Sequence, residues 1–274
     1  YRTTIASAYD AGVDEEYGRL AGNPLRETEY RLITELLDEY IPENSVVVDI
    51  GAGPGRYAEY LLKRNCRVGL TDLSKKSLEA FTERMKNSPL KKNILFSKVS
   101  CATKPNRISN NSADALLLMG PMYHLITDEH RNAALQHCKR ILKPGGFLFT
   151  IFLSLLHEVV NINESLGSEI LSDNKGLREQ IKEPAVTYTC FQSIEVPQFR
   201  CWPWQAQELL LKNSFATIRI RNIEGRGIFI PAGTIMNYNT PAGKAFLFNH
   251  LRESSEIPEF SGITYQFITV SHKI

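Results

Sequence analysis

The chain lacks several features that would assign it to a membrane, an extracellular compartment or a nucleic acid. Its longest apolar run, FLFTIFLSLL from Phe147, is far shorter than the roughly 20 residues that span a bilayer, and its start has no basic stretch before an apolar one. The five cysteines form no CxxC pair, and 32 basic residues are interspersed with 30 acidic ones. We therefore expect a cytoplasmic protein with no membrane partner and no metal, and consider a nucleic-acid partner unfavoured.

What the chain does have is an alternation of apolar strands with amphipathic helices. The runs SVVVDI, CRVGLTD, NILFSKVS, DALLLM and FLFTIF are typical of buried strands, and helical periodicity separates them. Ser74 and Thr127 are predicted to cap two of these helices. FATIRIRN and GITYQFITV add two strands near the end of the chain. Together the pattern predicts an α/β protein with an open, mostly parallel, doubly wound sheet.

Two long segments, 154–204 and 222–260, interrupt the alternation of strands and helices. Segments of this length usually have a function and a structure of their own. We predict an N-terminal helical lid over residues 1–45, a ligand-binding core over 46–153, a lid or substrate insertion over 154–204, and a C-terminal part of the core over 205–274. The last part contains a second insertion at 222–260.

The stretch VVVDIGAGPGRY, residues 46–57, carries the strongest chemical signal. It is not a dinucleotide fingerprint, because Arg56 replaces the third glycine, and no Gly-Lys-Ser or Gly-Lys-Thr follows. The loop offers backbone N–H groups and a helix N-terminus to a carboxylate, while Asp49 suits an ammonium. Asp72, at the end of the second strand, suits ribose hydroxyls or caps the following helix. A ligand joining an amino acid to a nucleoside, such as S-adenosylmethionine, satisfies these groups.

The motifs DIGAGPGRY, LTDLS and LKPGGFL, in this order, resemble those of class I S-adenosylmethionine-dependent methyltransferases. MGPMYHL followed by RILKPGGFLFTIF is similar to a broad bacterial group related to the menaquinone-type methyltransferases, the methyltransferase type 11 group. The resemblance implies a Rossmann-like sheet of seven strands with an antiparallel last strand, helical lid insertions, and S-adenosylhomocysteine as product. Where the family often has an adenine-binding acid, this chain has Cys101. The implied cofactor contacts are Asp49, Gly51, Ala52, Gly53, Asp72, Leu73, Cys101, Ala102, Met119 and Tyr17.

The acceptor side is less specified by the sequence. His124 is the best candidate for a general base, with Tyr123 beside it, although a structural role for this histidine is an equal alternative. Gly120-Pro121-Met122-Tyr123 stands where enzymes acting on base amines or glutamine amides have Asn-Pro-Pro-Tyr, which disfavours those substrates. We expect a small organic acceptor; a protein or RNA methyltransferase and a non-catalytic binding module are the alternatives, and the methylated atom and the oligomeric state stay open. The residues predicted to line the acceptor pocket are Tyr9, Phe199, Trp202 and Trp204, with a role in the core of the lid as the alternative for Phe199, Trp202 and Trp204.

Overall fold

The computed structural model describes residues 2–104, 108–155, 184–223, 230, 232–257, 260, 262 and 264–274. Helices in the described ranges are α1 (Arg2–Ala11), α2 (Val13–Arg19), α3 (Pro24–Tyr40), α4 (Arg56–Lys63), α5 (Lys75–Met85), α6 (Asp128–Ile141), α7 (Pro203–Lys212) and α8 (Pro241–Ser255). The strands are β1 (Val46–Ile50), β2 (Arg67–Asp72), β3 (Ile94–Val99), β4 (Ala113–Leu118), β5 (Leu142–Ser154), β6 (Ala185–Phe191), β7 (Ile194–Cys201), β8 (Phe215–Asn222) and β9 (Gln266–Lys273).

Side-chain caps fix where several helices begin. The side chain of Asn23 accepts a hydrogen bond from the backbone N–H of Arg26 and is followed by Pro24, which starts α3. The predicted caps are confirmed, because Ser74 accepts from a backbone N–H in the first turn of α5 and Thr127 does the same for α6. Asn23 therefore marks the end of the connection from α2 to α3, and Ser74 and Thr127 mark the ends of the loops that lead from strands into helices.

The predicted doubly wound sheet is confirmed. Its parallel part has the strand order β3-β2-β1-β4-β5, with β1 at the centre. The last strand, β9, is antiparallel to both β5 and β8, as the resemblance implied. The strand order reverses next to β1, so the carboxyl ends of β1 and β4 flank the crevice in which such sheets bind ligands.

The described part of the segment 154–204, predicted as a lid or substrate insertion, contains strands that the sequence did not lead us to expect. Residues 156–183 lie outside the described residues, but the remainder forms the antiparallel hairpin β6–β7 and raises the sheet from the expected seven strands to nine. Gln192 and Ser193, both with positive φ, make a two-residue turn that matches the twist of the strands. β7 then pairs with the last two residues of β5. The alternating AVTYTCF of β6 is the sequence signal for this hairpin that the prediction missed.

Two apolar clusters cover the two faces of the sheet. Val47 of β1 packs in a cluster with residues of α3, α4 and α5, whereas Val48, which points to the other face, packs with residues of α6 and α7. Both valines are almost fully buried. Within the described ranges, none of the helices has the length and apolarity needed to cross a membrane.

Candidate active site

A pocket lies at the carboxyl ends of β1, β2, β3 and β4, and α1, α2 and α3 also contribute residues to its lining. This is the edge at which doubly wound sheets bind their ligands. Most of the predicted cofactor contacts meet here. Those that line the pocket are Asp49, Gly51, Ala52, Gly53, Asp72, Leu73, Cys101, Ala102 and Met119.

The glycine loop between β1 and α4 approaches its neighbours so closely that it needs glycine. At Gly51, φ is +76°, and a Cβ would lie 2.3 Å from the ring of Pro121. At Gly53 the surroundings are open, because the nearest atom that a Cβ would meet is in the side chain of Glu16, at 4.0 Å. The first glycine therefore serves the fold, while the second leaves the backbone accessible to a ligand.

The amides of this loop are already hydrogen-bonded within the chain. Gly51 and Ala52 donate to the carbonyl oxygen of Thr71, at 2.7 and 3.0 Å. Gly53 donates to Oδ2 of Asp72 at 2.7 Å. The sequence had suggested that these N–H groups would bind a carboxylate. In this structure they stabilise the loop instead, and of the two predicted anion-binding features only the N-terminus of α4 is left.

Two carboxyl groups, those of the buried Asp49 and the half-buried Asp72, lie at the ends of β1 and β2 and line the pocket. Burial raises the pKa of Asp72 to about 6, although the amides of Ser74 and Gly53 donate to its carboxylate. Burial, together with the nearby charge of Asp72, raises the pKa of Asp49 to about 8, and no hydrogen bond in the described part of the chain offsets this. Among the residues that the structure describes, Asp49 therefore has no nearby cation that would hold it ionised.

His124 and Tyr9 form a hydrogen-bonded pair in the pocket wall. Nδ1 of His124 lies 3.0 Å from the carbonyl oxygen of Pro197, which can only accept, so Nδ1 carries the proton. Nε2 is then the acceptor for the hydroxyl of Tyr9, 2.9 Å away. Burial lowers the pKa of His124 to about 4, which leaves the imidazole neutral at pH 7. The structure thus joins the predicted base to a predicted pocket residue.

Tyr123 also lines the pocket, and its ring centroid lies 4.6 Å from that of His124. Burial raises the pKa of Tyr123 above its ordinary value, so its hydroxyl stays protonated at neutral pH. It can therefore donate a hydrogen bond to an acceptor molecule but is unsuited to remove a proton.

A group of charged side chains that no sequence motif indicated lies at the same pocket; we call Glu16, Arg19, Arg26 and Glu29 the charged corner. Glu16, Arg19 and Glu29 line the pocket, and Arg26 is hydrogen-bonded to Glu29. Nε of Arg19 donates to Glu16 at 3.2 Å, and its Nη1 donates to Glu29 at 3.0 Å. Arg26 donates to the other oxygen of Glu29 at 2.6 Å. No motif in the sequence singles these residues out, because they are brought together by the packing of α2 against the start of α3.

Four predicted site residues do not line this pocket. Tyr17 donates its hydroxyl to Glu59, and the guanidinium of Arg84 lies 3.9 Å from the centre of its ring. Phe199 is buried under the guanidinium of Arg131. The remaining two, Trp202 and Trp204, lie at the start of α7, where the side chain of Trp204 is exposed. Their roles in cofactor or acceptor binding stay predictions.

The pocket suits a ligand that joins an amino acid to a nucleoside. The carboxyl of Asp49 can accept a hydrogen bond from an ammonium, and Asp72, when ionised, has lone pairs for ribose hydroxyls beside those that accept the amides of Gly53 and Ser74. Ala102 and Met119, both largely buried, and Leu73 supply apolar surface for a base. Cys101 stands beside them, with Sγ 3.2 Å from the hydroxyl oxygen of Thr103. These residues fit S-adenosylmethionine.

Comparison with known proteins agrees with this reading of the pocket. A family model described as a methyltransferase domain matches residues 47–146, which contain the glycine loop, Asp72, Met119 and His124. The chain is 32% identical over 171 residues to the tRNA (carboxymethyluridine(34)-5-O)-methyltransferase ALKBH8 of Macaca fascicularis. That alignment covers 62% of this chain but 24% of the relative, so the chain spans about a quarter of the relative's length.

Solved structures show the same fold at low sequence identity. A methyltransferase from Methanosarcina mazei aligns with a TM-score of 0.58 at 13% identity, and the alignment covers 87% of this chain and 97% of the Methanosarcina chain. The 1,6-didemethyltoxoflavin-N1-methyltransferase of Burkholderia thailandensis was solved with bound 1,6-didemethyltoxoflavin and S-adenosylhomocysteine. It aligns with a TM-score of 0.58 at 12% identity, and the alignment covers 100% of this chain and 88% of that one.

Proposed function

We propose that this chain, which carries a class I S-adenosylmethionine-dependent methyltransferase domain, methylates a small organic acceptor bound beside Tyr9, Tyr123 and His124. The observation that supports this acceptor class most is the Tyr9–His124 hydrogen bond, which holds α1 against the pocket wall. When bound, S-adenosylmethionine supplies an electrophilic methyl group on a sulfonium sulfur and leaves as S-adenosylhomocysteine.

The Tyr9–His124 pair can take a proton from the acceptor. An acceptor O–H or N–H placed against the phenol oxygen of Tyr9 gives its proton to that oxygen, while the phenol proton moves to Nε2 of His124. In the resulting imidazolium, Nδ1–H still donates its hydrogen bond to the carbonyl oxygen of Pro197. The low pKa of His124 leaves its lone pair unprotonated at neutral pH but also makes it a weak base, so the pair suits an acceptor that loses its proton as the methyl group is transferred.

The rest of the pocket contributes alignment and exclusion of water. Methyl transfer is an in-line displacement, so holding the acceptor at the correct distance and angle provides much of the rate enhancement. Residues of α1 and α2, including Ile5 and Arg19, line the pocket together with the loops that follow the strands. A concave pocket that α1 and α2 partly line suits a small molecule better than a folded macromolecule.

The test is production of S-adenosylhomocysteine with a panel of phenols, hydroxy acids, amines and carboxylic acids, each with S-adenosylmethionine at saturation. Turnover with one chemical class, lost in the Tyr9→Phe His124→Ala double variant, would support the proposal. Turnover restricted to RNA or protein acceptors would contradict it. Binding of S-adenosylmethionine without turnover on any acceptor would favour the non-catalytic module.

RNA is the second candidate, and the relative from Macaca fascicularis favours it, because that protein is named as a tRNA methyltransferase. The formal net charge of only +2 opposes this candidate, because it predicts that non-specific binding to a polyanion such as RNA is weak. The same assay with tRNA containing carboxymethyluridine separates the two candidates. Turnover on this RNA, with a rate that falls steeply between 50 and 200 mM salt, would favour RNA.

A further inference from the structure

Gln266, at the start of β9, lines the pocket but takes no part in the proposed proton transfer. β9 is antiparallel to β5, and Gln266 pairs with Leu153, so it lies at the carboxyl end of β5. Its side chain points to the same face of the sheet as that of Ile268, because alternate residues of a strand share a face. Gln266 therefore reaches the pocket from the C-terminal part of the core.

The side-chain amide of Gln266 is buried and unsatisfied. The residue is 7% exposed, and its Nε2 has no hydrogen-bond partner among the residues that the structure describes. The hydroxyl of Thr264 donates to the backbone oxygen of Gln266, not to the side chain. Folded proteins rarely bury a donor without a partner, because the cost of desolvating it is not recovered. An unsatisfied amide in a residue that lines a pocket indicates that a ligand supplies the missing acceptor atom.

Gln266 lies on the acceptor side of the pocket. The strands follow one another in the order β2, β1, β4, β5 and β9, and β2 carries Asp72, the residue predicted to bind the ribose. Four strand spacings separate β2 from β9, which is about 19 Å. Burial and the charge of Glu16 raise the pKa of Tyr123, and the charge of Tyr265 adds to this effect. The residue before Gln266 is therefore near Tyr123, which the proposed function places beside the acceptor.

The surroundings of Gln266 favour an uncharged group. In the described part of the chain, no charged residue from β4, β5 or β9 lines the pocket, and the lining residue from β5 is Ile151. The arginines that line the pocket come from helices, and these are Arg2, Arg19 and Arg56. Arg19 is already paired within the charged corner. A carboxylate desolvated against Gln266 would lack a cation from the neighbouring strands, whereas a neutral carbonyl oxygen loses less hydration and still accepts the N–H.

We infer that Gln266 determines which acceptors this protein methylates, because its Nε2 donates a hydrogen bond to an uncharged carbonyl oxygen of the acceptor, such as that of an amide, ester or ketone. The nucleophile that loses its proton to the Tyr9–His124 pair belongs to the same molecule as this carbonyl. The inference rests on the proposed function and names a chemical feature of its acceptor. An analogue without the carbonyl is rejected because it leaves the buried amide unpaired.

The first test needs no acceptor. Gln266→Met keeps the length of the side chain and removes the unsatisfied amide, so the free protein should unfold about 2 °C or more above wild type. A glutamine that served the fold would lower the unfolding temperature when replaced. Gln266→Leu is the second variant, and Gln207→Met, at an exposed residue of α7, is the control that should stay within about 1 °C of wild type. Unfolding at or below the wild-type temperature in both variants of Gln266 would overturn the inference.

The second test compares acceptors that differ only at the carbonyl, with production of S-adenosylhomocysteine as the readout. The pairs are 2-hydroxyacetophenone with 2-ethylphenol and 2-aminoacetophenone with 2-ethylaniline, while salicylamide with salicylate separates a neutral carbonyl from a carboxylate. Wild type should favour the neutral carbonyl compound of a pair about 10- to 100-fold in kcat/KM. Gln266→Met should reduce this preference to about threefold or less and leave kcat/KM for the ethyl compound nearly unchanged.

The two proposals fail in different ways. Turnover of these acceptors without a preference for the carbonyl, or with a preference that persists in Gln266→Met, would overturn the inference and leave the proposed function standing. Turnover of RNA alone, or of none of these acceptors, would count against the proposed function instead. The unfolding temperatures of the Gln266 variants would then decide whether this residue belongs to a ligand site.

Discussion

The hydroxyl of Tyr9 in α1 donates to Nε2 of His124, 2.9 Å away, although the two residues are 115 positions apart in the chain. The rings meet edge to face, with centroids 5.7 Å apart. Because the other ring nitrogen of His124 is fixed by Pro197, the imidazole has one tautomer and one orientation. The N-terminal helix is thereby tied to the residue that we propose as the base.

We expect removal of this base to affect turnover rather than cofactor binding. With an acceptor that must lose a proton, His124→Ala should lower kcat by about 10² to 10⁴, and Tyr9→Phe should lower it as well. The dissociation constant of S-adenosylmethionine should change less than threefold. Turnover and calorimetry measure the two quantities, with His250→Ala on the exposed face of α8 as the control. Wild-type turnover in His124→Ala would return this histidine to a structural role.

Substitution of Asp72 should weaken cofactor binding. We expect Asp72→Ala to cost about 1–3 kcal/mol in the binding of S-adenosylmethionine, because ribose hydroxyls lose a charged acceptor. Asp72 also accepts the amides of Gly53 and Ser74, so thermal unfolding must show that the variant is folded. Asp38→Ala, at an exposed carboxylate, is the matched control. An unchanged affinity in a folded Asp72→Ala protein would refute the ribose assignment.

Cofactor affinity should rise with pH between about 6 and 8. Asp49 has a pKa of about 8 in the free protein, and a cationic ligand favours its ionised form, so binding should release up to one proton in this window. The affinity then increases by at most tenfold per pH unit. Calorimetry in buffers of different ionisation enthalpy counts the protons. Asp49→Asn should abolish the release; release that persists in this variant would assign it to another group.

The same two carboxyl groups should make the free protein less stable as the pH rises. The pKa values of Asp49 and Asp72 are raised above 3.8 by burial, so the folded state binds protons more tightly than the unfolded state between about pH 4 and pH 8. Stability contributed by the protonated forms is complete below pH 4 and is lost as the pH passes 6 and then 8. Denaturant unfolding should show a smaller loss in Asp49→Asn; an identical pH profile would contradict this.

Bound cofactor should protect Cys101 from thiol reagents. Cys101 lines the pocket and Cys190 is exposed, whereas Cys66, Cys138 and Cys201 are buried. In a Cys190→Ser background, a maleimide should therefore label Cys101 first. Saturating S-adenosylmethionine should slow this reaction about tenfold or more, as followed by mass spectrometry. Equal rates with and without cofactor would place the adenine away from Cys101.

The glycine loop should not tolerate a side chain at its first position. Gly51→Ala forces a Cβ against Pro121 at a positive φ, so we expect a loss of about 2 to 5 kcal/mol in the free energy of unfolding. Gly18 in α2 has no atom within 4 Å of a Cβ. The matched variant Gly18→Ala should be neutral or gain about 0.5–1 kcal/mol. Equal stabilities of the two variants, measured by urea unfolding, would contradict the assigned loop geometry.

Local patterns predicted the sheet and most of the residues that meet in the pocket, since the buried runs, the Ser74 and Thr127 caps and the glycine loop are each contained in a few consecutive residues. The sequence could not show that the loop amides are satisfied by Thr71 and Asp72, because this depends on the neighbouring strand. It also could not place Arg19 beside Glu29, which helix packing decides. The hairpin β6–β7 was missed although its alternating pattern was visible.

That hairpin constrains how this protein can be recombined with others of its fold. The carbonyl oxygen of Pro197 accepts a hydrogen bond from Nδ1–H of His124. Pro197 belongs to β7, which is not one of the seven strands that the sequence predicted. A chimera that kept the loop after β4 but took its insertion from another protein would leave a buried imidazole N–H without an acceptor, and the ring would be free to change tautomer. The histidine and the inserted hairpin are therefore a single exchangeable unit.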